Sequence, residues 1–486
     1  MNKYISLWLI ASIMLVFTSC KTEPVFPERP PGVPPTTEET LNQTADSVYM
    51  YSKEVYLWNA AIPDYNTFNP RQYKTSDEVS TAEAVLEQIA KKHSLGHEYS
   101  RNNRYFSYAT TYEEAGLSKS GEAIDYGFFI KAGRSTKLGK NVWFVNYVYP
   151  DSEAGKHISR GWIVNKVNDH TLSVTENDAS EYLTPIFISQ KREIDKTTKF
   201  EFINPNGDTL THTFKVQKFQ ANPILYDSTF EAVSPNGNVT VAYLVFNRFF
   251  GESARTALAQ VFNNYKNRGV KELILDLRYN GGGMTKTQDT LANLIAPAGS
   301  NTLMYKQIYN EQLQNNKYPL LKKKFGWPDN FFKPERNQTM FYTNNSLKLP
   351  RVFIIISDAT ASASELLINN LQAVMDVQLI GDKPTYGKPV GFFGIDLFKK
   401  VTFYPASFYT TNQKGKGNDY YDGIPPQKEM KDGVDKNWGK DEDCFYAALF
   451  YINNGYYPTT QTLPRSVYSL PRLKVNHSKL NMIKDF

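Results

Sequence analysis

Apolar residues recur along this chain in three rhythms. From residue 36 to 115 they fall at helical spacing: Val48, Tyr51, Val55 and Trp58 form one stripe, and Ala82, Val85, Leu86, Ile89 and Ala90 a second. From 116 to 220 apolar and polar positions alternate, as in strands with one buried face. Residues 125–130 open one strand, residues 160–168 contain another, and Asn204-Pro205-Asn206-Gly207-Asp208 reads as a hairpin turn. From 221 to 455 short apolar runs alternate with helical stripes. Residues 239–246 predict a strand, 253–268 a helix with Leu258, Val261 and Phe262 inward, and 273–277 a second strand. Arg351-Val352-Phe353-Ile354-Ile355-Ile356 predicts a buried strand, and Leu366, Leu367, Leu371, Val374 and Met375 a helix face after it. Residues 447–452 close this region as a helix. Strand–helix–strand order predicts a parallel or mixed sheet under helical cover. The fold class expected is mixed α/β and multidomain: helical 36–115, β-rich 116–220, and a core at 221–455 with an insertion at 299–349. Residues 456–486 read as a poorly ordered or strap-like tail.

Composition adds little to that picture and excludes one class. The 486 residues suffice for two to four domains, with 41% hydrophobic and 21% charged residues. The net charge of +6 is scattered. The basic run Lys322-Lys323-Lys324 reads as a solvated turn, and no groove-reading or base-stacking module is present, so nucleic acid is not an expected partner. Residues 1–20 read as an export signal: Lys3 supplies the positive end, and residues 5–17 form an apolar stretch too short to span a membrane comfortably. It ends in Phe17-Thr18-Ser19-Cys20, and a small residue before a cysteine looks like a bacterial lipoprotein processing site that leaves Cys20 lipidated. Cys444 then remains as the sole thiol, so no intramolecular disulfide is expected. Residues 21–35 hold six prolines and read as a semi-extended tether. His93 and His97 stand four apart without an evident third ligand, so no metal site is expected.

The candidate chemistry lies in Thr360-Ala361-Ser362-Ala363-Ser364-Glu365, between the 351–356 strand and the helix after it. Such a turn can be a plain Ser/Thr N-cap. It can also present a serine oxygen at a helix mouth, whose free N–H groups favour an oxyanion. A nucleophilic serine needs a base. None of the six histidines lies between residues 222 and 455, which excludes a Ser-His-Asp triad built within that region. Lysine can serve if desolvation strips its proton. Lys388, after Tyr386-Gly387 and near Phe392 and Phe393, is the candidate. Upstream, Asn280-Gly281-Gly282-Gly283 follows the strand at 273–277; glycines there let backbone approach a ligand, and a second oxyanion donor fits better than a phosphate loop.

Asp276-Leu277-Arg278 with Asn280 and the glycines, then Thr360-Ala361-Ser362-Ala363-Ser364-Glu365, then Thr385-Tyr386-Gly387-Lys388, resemble in order and spacing the C-terminal processing peptidases, the serine–lysine tail-specific proteases. The resemblance covers residues 115–455. It implies Ser362 as nucleophile, Lys388 as general base, and the N–H groups of Ala363 and Gly282 as oxyanion donors. It implies a small helical N-terminal domain, a PDZ-like domain at 116–220 whose loop at Gly127 and Phe128 takes a peptide carboxylate, and a peptidase core like that of ClpP and the crotonases. No cofactor and no metal are implied. Expected partners are protein or peptide substrates, held in one variant by their C-termini, and a membrane through the lipid anchor alone. The expected setting is the bacterial cell envelope, as an outer-membrane lipoprotein facing periplasm or cell surface.

The chain departs from the family pattern in three places. Lys383 lengthens the Gly-Lys turn by one residue. Phe392 stands where many members carry a glutamine that orients the lysine amine, and Ala373 where some carry an acid. Glu365 and Thr385 are the remaining candidates for an orienting group. The alternative reading is a non-catalytic peptide- or glycan-binding lipoprotein on a degenerate peptidase scaffold.

Overall fold

The computed structural model describes residues 36–95, 105–187, 193–297, 299, 301–343, 345–459 and 481–483. The expected export signal with Cys20, the proline-rich tether and His97 lie outside the described residues. Helix α1 (Thr37–Val55) opens on a full capping box: Thr36 and Glu39 exchange side-chain-to-backbone bonds, so two of the free N–H groups at the helix start are satisfied. Helix α2 (Glu78–Ala90), capped by Asp77, buries Ala82, Val85, Leu86 and Ile89 against α1. His93 stacks on Trp58 with ring centroids 5.3 Å apart. The mainly helical region at 36–115 is interrupted by Tyr108–Thr111, a strand paired antiparallel with Val401–Tyr404 of the core, before helix Tyr112–Ser120. The strand's β-branched and aromatic residues find a partner about 290 positions away, which local spacing cannot show.

The alternating region forms a main antiparallel sheet and a separate two-stranded one, Glu122–Asp125 with Gln217–Gln220. Strands β1 (Phe128–Arg134), β2 (Asn141–Val148), β3 (Ile163–Val167), β4 (Thr197–Ile203) and β5 (Thr209–Lys215) lie in that order, with β1 at an edge. The predicted hairpin turn joins β4 to β5, with Asn204 Oδ1 accepting from Asn206 and Asp208 N–H groups. Helical residues 176–187 bring Phe187 onto the sheet, where it meets Phe128 with centroids 5.4 Å apart.

The core is a mixed six-stranded sheet. Strand β6 (Ile224–Ser234) runs antiparallel to β7 (Gly237–Phe246). Beside β7 lie β8 (Glu272–Asp276), β12 (Arg351–Ile356), β13 (Asp376–Gly381) and β16 (Lys428–Glu429), each parallel to its neighbour. Every residue of β8 is buried and β12 is buried from Val352 on, as uninterrupted apolar strands require when both faces are covered. Helices α3 (Glu252–Asn267), α4 (Thr285–Ile295), α5 (Ala363–Gln372) and α6 (Asp443–Asn454) supply that cover. On α3, Leu258 and Phe262 are buried as expected and Val261 is half-buried.

The insertion has a structural task. Its strands β10 (Leu303–Tyr309) and β11 (Gln338–Met340) join β15 (Phe408–Asn412) and β14 (Val390–Gly391) in a four-stranded sheet. It is also tied to the N-terminal helices. The Asn310 side-chain amide donates to the carbonyls of Glu54 and Tyr56, and the Glu54 carboxylate accepts the Leu320 and Leu321 N–H groups. The helices, the insertion and one face of the six-stranded sheet share one continuous apolar core. A last short strand, β17 (Asn481–Ile483), pairs parallel with β9 (Gly282–Met284).

Candidate active site

Three sequence motifs meet at the ends of β8, β12 and β13. After β8 the chain turns through Asn280, which is fully buried. Its side chain donates to the Phe246 carbonyl and accepts the Gly282 N–H, and its carbonyl accepts from Ala361 N–H and Ser364 Oγ. Thr360 Oγ1 donates to the Leu277 carbonyl at 2.8 Å, and Ser357 Oγ to that of Arg278. The first and second motifs are thus stitched by polar contacts that leave few buried donors idle.

Ser362 sits between β12 and α5 with φ 62° and ψ −107°. A non-glycine residue in this region carries backbone strain of roughly 1–3 kcal/mol, held only where surrounding contacts enforce it. The strand-to-helix elbow turns Ser362 to the mouth of α5. Ser362 is fully buried, and its Oγ has no hydrogen-bond partner among the described residues. The N–H of Ala363, first residue of α5, likewise has none among them, as the start of a helix leaves it. The second expected donor is differently placed: Gly282 N–H is engaged by Asn280 Oδ1 at 2.9 Å. The Asx turn made by Asn280 accounts for this, since a side-chain oxygen two residues upstream reaches that N–H.

Lys388 is 2% exposed. Its Nζ lies 4.5 Å from the Phe392 ring centroid and 5.6 Å from that of Tyr108. Of the aromatics expected to flank it on sequence grounds, Tyr386, Phe392 and Phe393, Phe392 turns its ring to the amine; Tyr108 comes from the strand that joins the helical region to the core. Gly387 carries φ 92°, and a Cβ there would stand 2.1 Å from the Tyr421 carbonyl oxygen, so only glycine allows the turn.

Glu365 ties the serine to the lysine. Fully buried, it accepts four hydrogen bonds: Oε2 from Ser362 N–H (2.7 Å) and Lys388 N–H (2.9 Å), Oε1 from Gly387 N–H (2.6 Å) and Thr385 Oγ1 (2.6 Å). Burial pushes its carboxyl above the usual carboxylate range, against these four donors, which lower it. Glu365 and Thr385 were the sequence candidates for orienting the lysine. In the structure Glu365 holds the backbone of Lys388 and Thr385 supports Glu365 while accepting the Ile424 N–H.

Sequence reasoning missed a buried ion network beneath the first motif. The Arg278 guanidinium bonds Asp276, Asp432 and Glu442, and Asp432 also receives Arg160 at 2.8 Å and Lys131 at 2.7 Å from the small sheet. Burial works against the Asp432 charge, but Lys131, Arg160 and Arg278 hold its carboxyl well below the ordinary value. Asp276 and Arg278 stand in the first motif, but their partners, from Lys131 to Glu442, are scattered along the chain, so no local pattern marks the network.

The expected carboxylate loop is engaged by its own chain. Gly127 N–H donates to Asp125 Oδ1 at 2.7 Å, and Phe128 is buried in an aromatic cluster with Phe187, Phe200, Phe202 and Phe214. Glu153, His157 and His212, not singled out in the sequence, bring three ligand-type atoms within 4.8 Å of one another on the small sheet. His157 Nε2 lies 2.9 Å from Glu153 Oε1.

Residues 240–430 match the family model for peptidase family S41. The core is S41-like. Over 141 residues the chain is 29% identical to the carboxy-terminal processing protease CtpA of Bacillus subtilis, covering 29% of this chain and 24% of that protein. Over 178 residues it is 25% identical to a carboxyl-terminal-processing protease of Picosynechococcus, covering 37% and 36%. The matched stretches span about a quarter to a third of those relatives' length. A crystal structure described as an S41 protease of Bacteroides fragilis matches 87% of this chain and 98% of its own, with a TM-score of 0.57 at 21% identity, which shows a shared fold. All three motifs lie inside the S41 match.

Proposed function

We propose that this chain is a serine endopeptidase cleaving protein or peptide substrates, with Ser362 as nucleophile and Lys388 as general base. The carrying observation is the Glu365 clamp, which fixes the strained Ser362 elbow and the Lys388 turn to one buried carboxylate. Ser362 Oγ attacks the peptide carbonyl while the Lys388 amine takes its proton. The amine then gives that proton to the departing nitrogen, and water releases the acyl group from Ser362. The base role needs an uncharged amine, and it calls for a buried lysine such as Lys388. Ala363 N–H stabilises the oxyanion, and Gly282 N–H joins it once released by Asn280. The core is of the ClpP/crotonase type and the small sheet PDZ-like, with edge strand β1 beside residues 176–187 as its peptide groove.

The alternative, a binder on a degenerate scaffold, is favoured by Phe392 in place of an orienting glutamine. A fluorophosphonate probe separates the two. Labelling of the wild type that disappears in Ser362→Ala and Lys388→Ala, with peptide cleavage falling at least about 10⁴-fold, supports the peptidase. Absence of both labelling and cleavage in the wild type between pH 7 and 9 supports the binder. We further place the protein in the bacterial cell envelope, anchored through a lipidated Cys20. Radiolabelled palmitate is expected to enter the wild type and not Cys20→Ala; equal labelling of both removes the anchor.

A further inference from the structure

The strand that carries the glycine motif has a second neighbour. On one side β9 pairs with Phe249, whose N–H donates to the Gly282 carbonyl and whose carbonyl accepts the Met284 N–H. The alternation of a parallel ladder turns the N–H and C=O of Gly283 to the opposite side. That side is taken by β17, in register Gly282 with Asn481, Gly283 with Met482 and Met284 with Ile483. In this pattern the Gly283 N–H faces the Asn481 carbonyl and the Ile483 N–H faces the Gly283 carbonyl. Strand β17 also packs against β14, which follows Lys388, and against α5, which Ser362 heads. An extended segment of the chain therefore lies among all three motif-bearing elements. On the Phe249 side the fit is close: Gly283 has φ 144°, and a Cβ there would stand 2.7 Å from the Phe249 backbone, so only glycine lets the two segments lie together.

We propose that the edge of β9 away from Phe249 is the peptide-binding edge and that residues 481–483 occupy it as an internal competitor of substrate. The inference rests on the peptidase reading and adds the direction of the bound peptide, parallel to Gly282–Met284, and its resident ligand. Main-chain groups of Gly283 must be paired, and a strand added to this edge pairs them without regard to side-chain identity. A tethered occupant competes at high effective concentration, so substrate meets only the fraction of molecules whose edge is open.

The test compares the full chain with one ending at residue 480. A fluorescein-labelled peptide of residues 481–486 is titrated into both, each carrying Ser362→Ala, so that binding is read without catalysis. Saturable binding to the shortened chain, at least about fivefold tighter than to the full chain, supports the proposal. Equal binding, or none to the shortened chain, overturns it. In the catalytically intact pair, KM for a reporter peptide is expected to fall by about fivefold on shortening with kcat unchanged; an unchanged KM overturns it. Ile483→Pro in the full chain removes the N–H that closes the ladder without shortening the protein, and should reproduce the KM effect. If neither intact chain cleaves, the peptidase reading fails, and the binding comparison still decides occupancy.

Discussion

Glu365 is the residue on which the site turns. Four donors converge on its two oxygens, so an isosteric amide cannot replace it: the glutamine NH₂ would face donors where the carboxylate accepts. Glu365→Gln is expected to lower stability by about 2–4 kcal/mol, the scale of losing charge-assisted bonds at a buried group. Cleavage should drop at least about tenfold, since Ser362 and Lys388 lose their common support. Chemical denaturation and steady-state kinetics on the one variant check both; a variant as stable and active as the wild type contradicts the clamp. The hexapeptide and the Gly-Lys turn were legible in the sequence because each is local. Glu365 could be suspected, being three residues from Ser362. Its bond to the Lys388 backbone could not, since it depends on β12 and β13 lying side by side.

At the level of elements, a parallel or mixed sheet under helical cover followed from apolar runs separated by helical stripes; the order β7–β8–β12–β13 comes from the structure, where these strands lie parallel side by side. Strand Tyr108–Thr111 and β17 escaped prediction for one reason: each is short, and its partner strand is distant in sequence, so pairing rather than periodicity makes it a strand. The insertion at 299–349 was legible as an insertion only. Its pairing with β15, and through it with β14, shows that it buttresses the segment following Lys388.

For the whole molecule, the Asp432 network sets acid stability. A carboxyl held well below its unfolded value of about 3.9 contributes stability that is fully present above that value and lost as pH falls through the folded one. Glu442, also lowered despite its burial, adds to the same window. The wild type should therefore lose melting temperature steeply below about pH 4. Asp432→Asn should be less stable at pH 7 by about 3–5 kcal/mol, the cost of leaving buried cations short of a partner, and show a shallower acid limb. Thermal melts from pH 2.5 to 7 read both, and parallel acid limbs would contradict the assignment. The charge partners were invisible in the sequence because Lys131, Arg160, Arg278 and Asp432 come from four separate segments.

The apolar core that runs unbroken from α1 and α2 into the insertion and the large sheet makes the region before residue 96 inseparable from the rest. Trimming these helices away would strip the cover from Ala406 and Tyr108, leave the Asn310 amide without its two carbonyls, and unseat the ring that faces the Lys388 amine. What reads in the sequence as a small leading domain is, in mechanical terms, a wall that backs the ring beside the Lys388 amine.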